Sequence, residues 1–306
     1  MSYELERKYR PRGFASFVGN EAAVSLLKSK FEANKPPHKL LITGPAGCGK
    51  TTLARIFKKQ IGCSDEDFYE YDAATTRGID TIREIREAMR YAPRKGDVKI
   101  YFLDESHELT GPAMNAILKA LEEPPSYVYF ILCTTEEDKM LPTIKSRCTH
   151  IRVAPLPSRD LMQLLHQVAK KEGKNVKMEV MKKIASLSRG APRDGLKMLN
   201  AVIDMDDPST EALVDATIDN PTVLTICRTI VARLDPPTKF KQLMDTTKDL
   251  TQDAEKVRYA ILEYLRKVLI SNPSDATAEK MMLFSQSFIY SKDGGLAVAL
   301  YLASKI

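Results

Sequence analysis

Up to about residue 154 the chain alternates short unbroken apolar runs with stretches of helical period, and from there to the end only the helical period persists. The unbroken runs are Leu40 to Ile42, Phe68 to Tyr71, Lys99 to Leu103, Tyr127 to Cys133 and His150 to Val153. Leu40 to Ile42 reads as a buried parallel strand and Lys99 to Leu103 as a second buried strand, Tyr127 to Cys133 has the aromatic and β-branched content of a sheet interior, and Phe68 to Tyr71 and His150 to Val153 read as short strands. Between them, Glu21 to Phe31 reads as a helix on Ala22, Leu26, Leu27 and Phe31, and Thr52 to Gln60 as one on Leu53, Ile56 and Phe57. Thr81 to Tyr91 follows on Ile82, Ile85 and Met89; Gly111 to Glu123 buries Met114, Ile117, Leu118 and Leu121, and Pro124-Pro125 stops it. Strands alternating with helices place residues 1–154 in the α/β class.

Pro155 opens the helical part, with Leu156, Leu161, Leu164, Leu165, Val168 and Ala169, and Val180 to Leu187 continues it. Ser188 to Asn200 sets glycine ahead of Arg193 and then Leu196 and Leu199 on a helix, which puts Arg193 near a helix start. The polar stretch Asp204 to Ser209 reads as a linker, and further helices are expected at about 211–219, 222–234, 238–250, 252–271, 276–290 and 294–306. The expected organisation is a nucleotide-binding α/β domain over 1–154, a small helical domain over 155–208 and an all-α domain over 209–306. The last carries no catalytic constellation; bare helices of this length often serve oligomerisation.

Composition narrows the class: 306 residues with 43% hydrophobic and 28% charged content suit an ordinary globular chain of two or three domains. No run of about eighteen apolar residues exists, and MSYELERKYRPRG lacks the apolar core of a signal peptide, so a cytoplasmic protein without membrane contact is expected. Cysteines at 48, 63, 133, 148 and 227 never approach C-x-x-C spacing, which writes neither a zinc ribbon nor a redox pair. A formal charge of +6 permits nucleic-acid contact without requiring it.

Chemistry concentrates at the ends of the apolar runs. Gly44 to Thr51, GPAGCGKT, fits the phosphate-binding pattern G-x-x-x-x-G-K-[ST] with a strand before it and a helix after it. Gly44, Gly47 and Gly49 allow backbone N–H groups to face phosphate oxygens, Lys50 supplies charge for the β- and γ-phosphates, and Thr51 is a ligand for Mg²⁺. The run 99–103 leads straight into Asp104-Glu105, a Walker B arrangement in which Asp104 holds Mg²⁺ through its water shell and Glu105 orients or deprotonates the attacking water. The run 127–133 delivers Thr134 and Thr135 to the same edge, where a hydroxyl reaches the γ-phosphate or simply ends a strand. Arg147 lies in a polar turn, Pro142 to Cys148, open either to an outward role or to a local ion pair with Glu136 or Asp138. Arg83, Arg86 and Arg90 form a stripe that is either a DNA-phosphate contact or a solvated helix face, with Glu87 available to neutralise Arg83. Cys48, beside Lys50 and loop N–H groups, is either a thiol of lowered pKa that alkylates readily or an inert small residue.

Taken in order, KYRPRGFASFVGNE, GPAGCGKTT, DAATTRGIDTIRE, YFLDESHELTGPAMNAILKALEEPP, CTTEEDKMLPTIKSRC and GAPRDGLKML resemble the clamp-loader ATPases of the AAA+ class. This is the family of the gamma/tau subunits of bacterial DNA polymerase III and, more distantly, of replication factor C small subunits. The resemblance covers about residues 5 to 200, and SRC and EEPP are features of clamp loaders rather than of ATPases at large. It implies a RecA-like domain, a helical lid and a helical collar, with ATP and Mg²⁺ as cofactors. Tyr9, Arg10, Pro11, Val18 and Gly19 would line the adenine pocket, and Gly44, Pro45, Ala46, Gly47, Cys48, Gly49, Lys50, Thr51 and Thr52 would hold the phosphates. Thr51 and Asp104 would hold Mg²⁺, Thr135 or alternatively Thr134 would be the first sensor, and Arg193 the second, on the γ-phosphate of its own subunit. Arg147 would be an arginine finger acting in trans on a neighbour's ATP, and Arg83, Arg86 and Arg90 would track DNA. Implied partners are a sliding clamp, primer-template DNA and further subunits in a pentameric ring.

Two departures stand out. Gamma/tau subunits share a four-cysteine zinc module after the first loop helix, whereas here Cys63 stands alone, so no zinc is expected; nor does the tau extension follow the collar, so a compact form is expected, set in a bacterial or phage-infected cell. Competing readings are a DNA-translocating AAA+ motor such as a Holliday-junction branch-migration helicase, which would need a winged-helix domain after the lid, and a stator subunit that has lost hydrolysis.

Overall fold

The computed structural model describes residues 4–205, 210–216, 218, 220–250, 252–288 and 290–306. Residues 206–209 of the expected linker, and 217 and 219 of the helix expected after it, lie outside them. The chain divides into two compact units, residues 1–168 with 188–194, and residues 169–187 with 195–306.

The first unit is built on five parallel strands, β1 (Lys39–Thr43), β2 (Phe68–Asp72), β3 (Lys99–Asp104), β4 (Val128–Thr134) and β5 (Thr149–Arg152). Their order is β2-β3-β4-β1-β5. All five runs are strands; both faces of the inner strands β1, β3 and β4 are covered, while the edge strands β2 and β5 are only partly buried. Leu40, Ile42, Ile100, Phe102 and Ile131 pack on one face, with Leu27 of α2 (Glu21–Glu32) and Leu53 and Phe57 of α3 (Lys50–Gln60). Leu41, Tyr101, Leu103, Phe130 and Leu132 pack on the other, with Ile82 and Ile85 of α4 (Ile79–Ala88) and Ala113, Ile117 and Leu121 of α5 (Gly111–Glu122). Register brings the carboxyl ends level: Thr43 pairs with Thr134, and Asp72 with Asp104. The unit opens with the short helix α1 (Leu5–Lys8).

Two local expectations are corrected. Pro142 to Arg147 is a six-residue helix, α6, rather than a turn: Pro142 is pre-set for a first helical position and Ile144 is fully buried under it. Such a segment is too short for periodicity to reveal. The helix expected at 81–91 starts earlier, at Ile79, and ends at Ala88, so Arg90 lies in the following turn, ahead of Pro93.

Beyond β5 every regular element among the described residues is helical. These are α7 (Ser158–Lys171), α8 (Met178–Leu187), α9 (Pro192–Val202), α10 (Thr210–Asp215), α11 (Pro221–Val231), α12 (Pro236–Thr247), α13 (Ala254–Ser271), α14 (Asp275–Leu283) and α15 (Lys292–Lys305). Four of them begin at side-chain caps: Asn220, Asp235, Asp253 and Ser274 each accept hydrogen bonds from N–H groups of the first turn. Among the described residues no helix is long and apolar enough to cross a membrane.

Candidate active site

The loop between β1 and α3 is shaped by glycine. Gly44, Gly47 and Gly49 have φ of 148°, 73° and 105°, the left-handed region that side chains resist. A Cβ on Gly44 would also lie 2.0 Å from the Val153 carbonyl oxygen, so this turn admits nothing larger. The first N–H groups of α3 have no side-chain cap, and the positive end of the helix macrodipole faces the loop. Lys50 is 6% exposed and folds back over the loop, donating to the carbonyls of Gly44 at 2.8 Å and Pro45 at 3.2 Å. An ammonium has three donors, so one remains for an anion on the loop.

At the sheet edge Thr51 Oγ1 donates to Asp104 Oδ2 at 2.9 Å, which sets a hydroxyl and a carboxylate from separate elements side by side. A pair of hard oxygen ligands beside a phosphate loop suits Mg²⁺, which typically takes one or two protein oxygens and completes its shell with water and phosphate. Glu105, the next residue, is held at φ 47° and ψ 45°, a left-handed conformation costing roughly 1–3 kcal/mol for a non-glycine residue. That turn aims its carboxylate at β4, where Thr135 donates to Glu105 Oε2 through its hydroxyl at 2.9 Å and its N–H at 3.3 Å.

The two threonines thus face different partners. Thr134 is fully buried; its Oγ1 lies 3.0 Å from His107 Nδ1 and accepts from the Glu136 N–H at 3.0 Å. Of the two threonines, Thr135 is the one that hydrogen-bonds the Glu105 carboxylate. His107 was not singled out in the sequence. Its side chain is 6% exposed, with Nδ1 3.4 Å from Glu105 Oε2 and Nε2 3.1 Å from Glu136 and 3.5 Å from Glu108. It joins the end of β3 to the end of β4. Its one sequence signal is its position three residues after Asp104.

A cationic rim surrounds the loop. The Arg193 N–H reaches the Gly47 carbonyl at 3.4 Å, and a Cβ on Gly47 would meet the Arg193 Cβ at 3.4 Å. Burial, then the nearby charges of Arg55 and Arg193, lower the pKa of Arg10. Lys50 and Arg193 thus touch the loop, and Arg10 lies close enough to Arg193 and Arg55 to feel their charges. Arg55, on the exposed side of α3, was not expected there and also grips Glu70 at 2.8 Å.

The segment from Tyr9 to Gly19 is half-buried at Tyr9, Arg10, Pro11, Val18 and Gly19. Asn20 fastens it to the chain after β5, donating to the Ala154 carbonyl at 3.0 Å and accepting from the Ala154 N–H at 2.7 Å. Phe17 rests against Gly49, where an added Cβ would lie 3.0 Å from its ring. Motifs about 135 residues apart in sequence are thereby joined at one edge of the sheet.

Three groups of expected site residues differ from this cluster. Arg147 points along its own helix, donating to the Thr143 carbonyl at 3.0 Å and pairing with Glu122 of α5 at 3.4 Å, so its local acid is neither Glu136 nor Asp138. Arg83 pairs with Asp80 at 2.8 Å rather than with Glu87; Arg83 and Arg90 are exposed and Arg86 is half-buried. The reactive reading of Cys48 is overturned: the thiol is 4% exposed, and burial raises its pKa against the opposing pull of Lys50. Maleimide footprinting by mass spectrometry should leave Cys48 unmodified in the folded protein over a period that labels the denatured chain fully. Rapid labelling of folded protein, blocked by ATP, would restore the reactive thiol.

Comparison with known proteins adds a lineage to this geometry. Residues 68–157 match the family described as DNA polymerase III, delta subunit. The gamma subunit of DNA polymerase III from Buchnera aphidicola is 36% identical over 221 residues, covering 65% of this chain and 61% of that one. The tau subunit from Bacillus subtilis is 36% identical over 225 residues, 66% of this chain and 40% of its own length. The gamma/tau subunit from Mycobacterium tuberculosis is 36% identical over 222 residues, 65% and 38%. The chain thus spans 38% to 61% of the length of these relatives. Among solved structures, the Thermotoga maritima RuvB Holliday junction branch migration motor superposes with a TM-score of 0.56 at 18% identity, covering 85% of this chain and 91% of that one. At that identity the likeness speaks for the fold alone. In fold the chain is similar to that motor, and in sequence it is similar to the gamma and tau subunits of bacterial DNA polymerase III.

Proposed function

We propose that this chain is a clamp-loader ATPase subunit, which uses ATP binding and hydrolysis to open a sliding clamp and load it on primer-template DNA during replication. The observation that carries the reading is the meeting, at the carboxyl edge of one sheet, of the 44–51 loop, the Thr51–Asp104 contact and the Glu105–Thr135 contact, with Arg193 on the rim. Sequence kinship with the gamma and tau subunits supports the choice of a loader over other AAA+ machines. The branch-migration alternative would need a winged helix, and no strand follows β5 among the described residues.

On this reading residues 1–154 form the nucleotide domain, 155–208 a lid and 209–306 a collar that builds a pentameric ring with other subunits. Loop N–H groups and Lys50 hold the β- and γ-phosphates, and Arg10, with Tyr9, Pro11, Val18 and Gly19, borders the adenine. Thr51 and Asp104 would hold Mg²⁺, which supplies charge neutralisation at the phosphate oxygens when bound. Glu105 takes a proton from the attacking water as its oxygen bonds to the γ-phosphorus and the bond to the ADP oxygen breaks, giving ADP and inorganic phosphate. Thr135, the first sensor, already holds the Glu105 carboxylate; a hydroxyl that must choose between Glu105 and a γ-phosphate links nucleotide state to the position of the base. Arg193 is the second sensor. The direct test is ATP-dependent transfer of the clamp from the same replicon onto circular primed DNA, followed by gel filtration. Transfer that needs this chain and ATP supports the reading, and ATP hydrolysis without any clamp transfer contradicts it.

The arginine stripe carries its own prediction. Replacing Arg83, Arg86 and Arg90 by Ala should weaken DNA binding for all sequences alike and reduce its log–log salt slope by up to about one for each lost phosphate contact. Fluorescence anisotropy across a salt series measures this, and an unchanged slope returns the stripe to a solvated face. Arg83 bears least of the expected loss, because Asp80 already competes for it.

A further inference from the structure

His107 follows β3 in the chain, yet its ring is held from the end of β4. The Glu136 N–H donates to Thr134 Oγ1 at 3.0 Å, Thr134 Oγ1 lies 3.0 Å from His107 Nδ1, and His107 Nε2 returns to the Glu136 carboxylate at 3.1 Å. The circuit begins and ends on one residue. Glu108 sets a second carboxylate 3.5 Å from Nε2, so that nitrogen carries its hydrogen and Nδ1 is the one turned to Thr134. Turning the ring over would put C–H groups where both nitrogens now meet their partners, in a side chain only 6% exposed. The imidazole is therefore a fixed surface.

That surface borders the carboxylate proposed as the base. Glu105 Oε2 lies 3.4 Å from His107 Nδ1, and it accepts from Thr135 through the hydroxyl at 2.9 Å and the N–H at 3.3 Å. A threonine hydroxyl has one hydrogen, which on the proposed reading passes to the γ-phosphate when ATP is bound. Glu105 then loses its shortest contact. The Thr135 N–H and the His107 ring still adjoin Oε2, and a carboxylate on a long, rotatable side chain needs such a restraint to stay aligned with water. We infer that His107 is a positioning residue for the proposed hydrolysis: clamped by Thr134 and Glu136, its ring keeps the Glu105 carboxylate aligned when Thr135 turns to nucleotide. The inference rests on the reading of Glu105 as the base. Among the described residues the His107 side chain makes no hydrogen bond to the 44–51 loop, so its effect is expected on turnover and not on ATP affinity.

The test combines isothermal titration with ATP and single-turnover hydrolysis in the ring assembled with its partners. His107→Ala should bind ATP within about twofold of the unaltered protein and hydrolyse it about 10 to 10²-fold more slowly, the usual effect of a misplaced reacting group. The amide of asparagine reaches the Nδ1 position and that of glutamine the Nε2 position. His107→Asn should therefore recover most of the rate and His107→Gln should not; recovery by glutamine as full as by asparagine leaves only a brace to Glu136 and overturns the inference. In a Glu105→Gln background, adding His107→Ala should change the rate by less than about twofold, because the group being positioned is gone. A further loss as large as in the native background assigns His107 to general folding and also overturns it. Should His107→Ala fail to fold, the asparagine and glutamine variants still decide. The failures are distinguishable: undiminished turnover in Glu105→Gln removes the base and this inference with it, whereas a slow Glu105→Gln beside an unimpaired His107→Ala removes the inference alone.

Discussion

Glu105→Gln should lower ATP turnover by about 10² to 10⁴-fold while leaving ATP affinity close to that of the unaltered protein, and Lys50→Ala should lose both. The split follows from what each group touches. Glu105 makes no hydrogen bond to the 44–51 loop among the described residues; its carboxylate accepts from the Thr135 hydroxyl at 2.9 Å, and on the proposed reading it is the base that meets the attacking water. A Gln amide keeps the shape and still accepts from Thr135, but cannot take a proton at neutral pH. Lys50 instead braces the loop through the carbonyls of Gly44 and Pro45 and, on the proposed reading, carries the charge that meets phosphate, so its loss should cost the bound state itself. Isothermal titration with ATP and steady-state hydrolysis separate the two variants. Equal loss of ATP binding in both would refute this division of labour.

Arg147→Ala should bind ATP almost normally and hydrolyse it about 10³ to 10⁵-fold more slowly in the assembled ring, the span typical of an arginine finger. Within its own unit Arg147 contacts Thr143 and Glu122, and nothing of the nucleotide loop among the described residues, so a catalytic role for it requires a second subunit. Its pair with Glu122 is partly exposed, at 37% and 52%, and such pairs contribute about 0–1 kcal/mol, so the substitution should scarcely affect folding. Position in trans makes a sharper demand. Co-assembled Arg147→Ala and Lys50→Ala subunits should regain activity at sites that pair an intact loop from the first with an intact finger from the second. A demonstrably mixed ring as inactive as either parent would place the finger in cis or on another subunit type.

What was legible in the sequence depended on how local its physical cause is. The inner strands β1, β3 and β4 were readable because burial on both sheet faces demands apolar residues at nearly every position, and the glycine loop because glycine readily adopts its positive φ. Less accessible was whatever depends on which way one side chain turns in space. Thr134 and Thr135 are equivalent as letters, and only the end of β4 decides that the first faces His107 and the second Glu105. His107 and Arg55 enter the site through contacts with other elements, which no spacing rule encodes. Cys48 misled because the adjacent Lys50 is visible in sequence and the burial that outweighs it is not.

The most direct measurement of the central claim is the steady-state ATPase rate of this chain, assembled with its ring partners, under four conditions: alone, with the sliding clamp, with primed DNA, and with both. A clamp-loader subunit should hydrolyse fastest when clamp and primed DNA are present together, and Glu105→Gln should abolish that stimulation. Full stimulation by DNA alone, indifferent to the clamp, would contradict the account and point to a DNA-translocating motor.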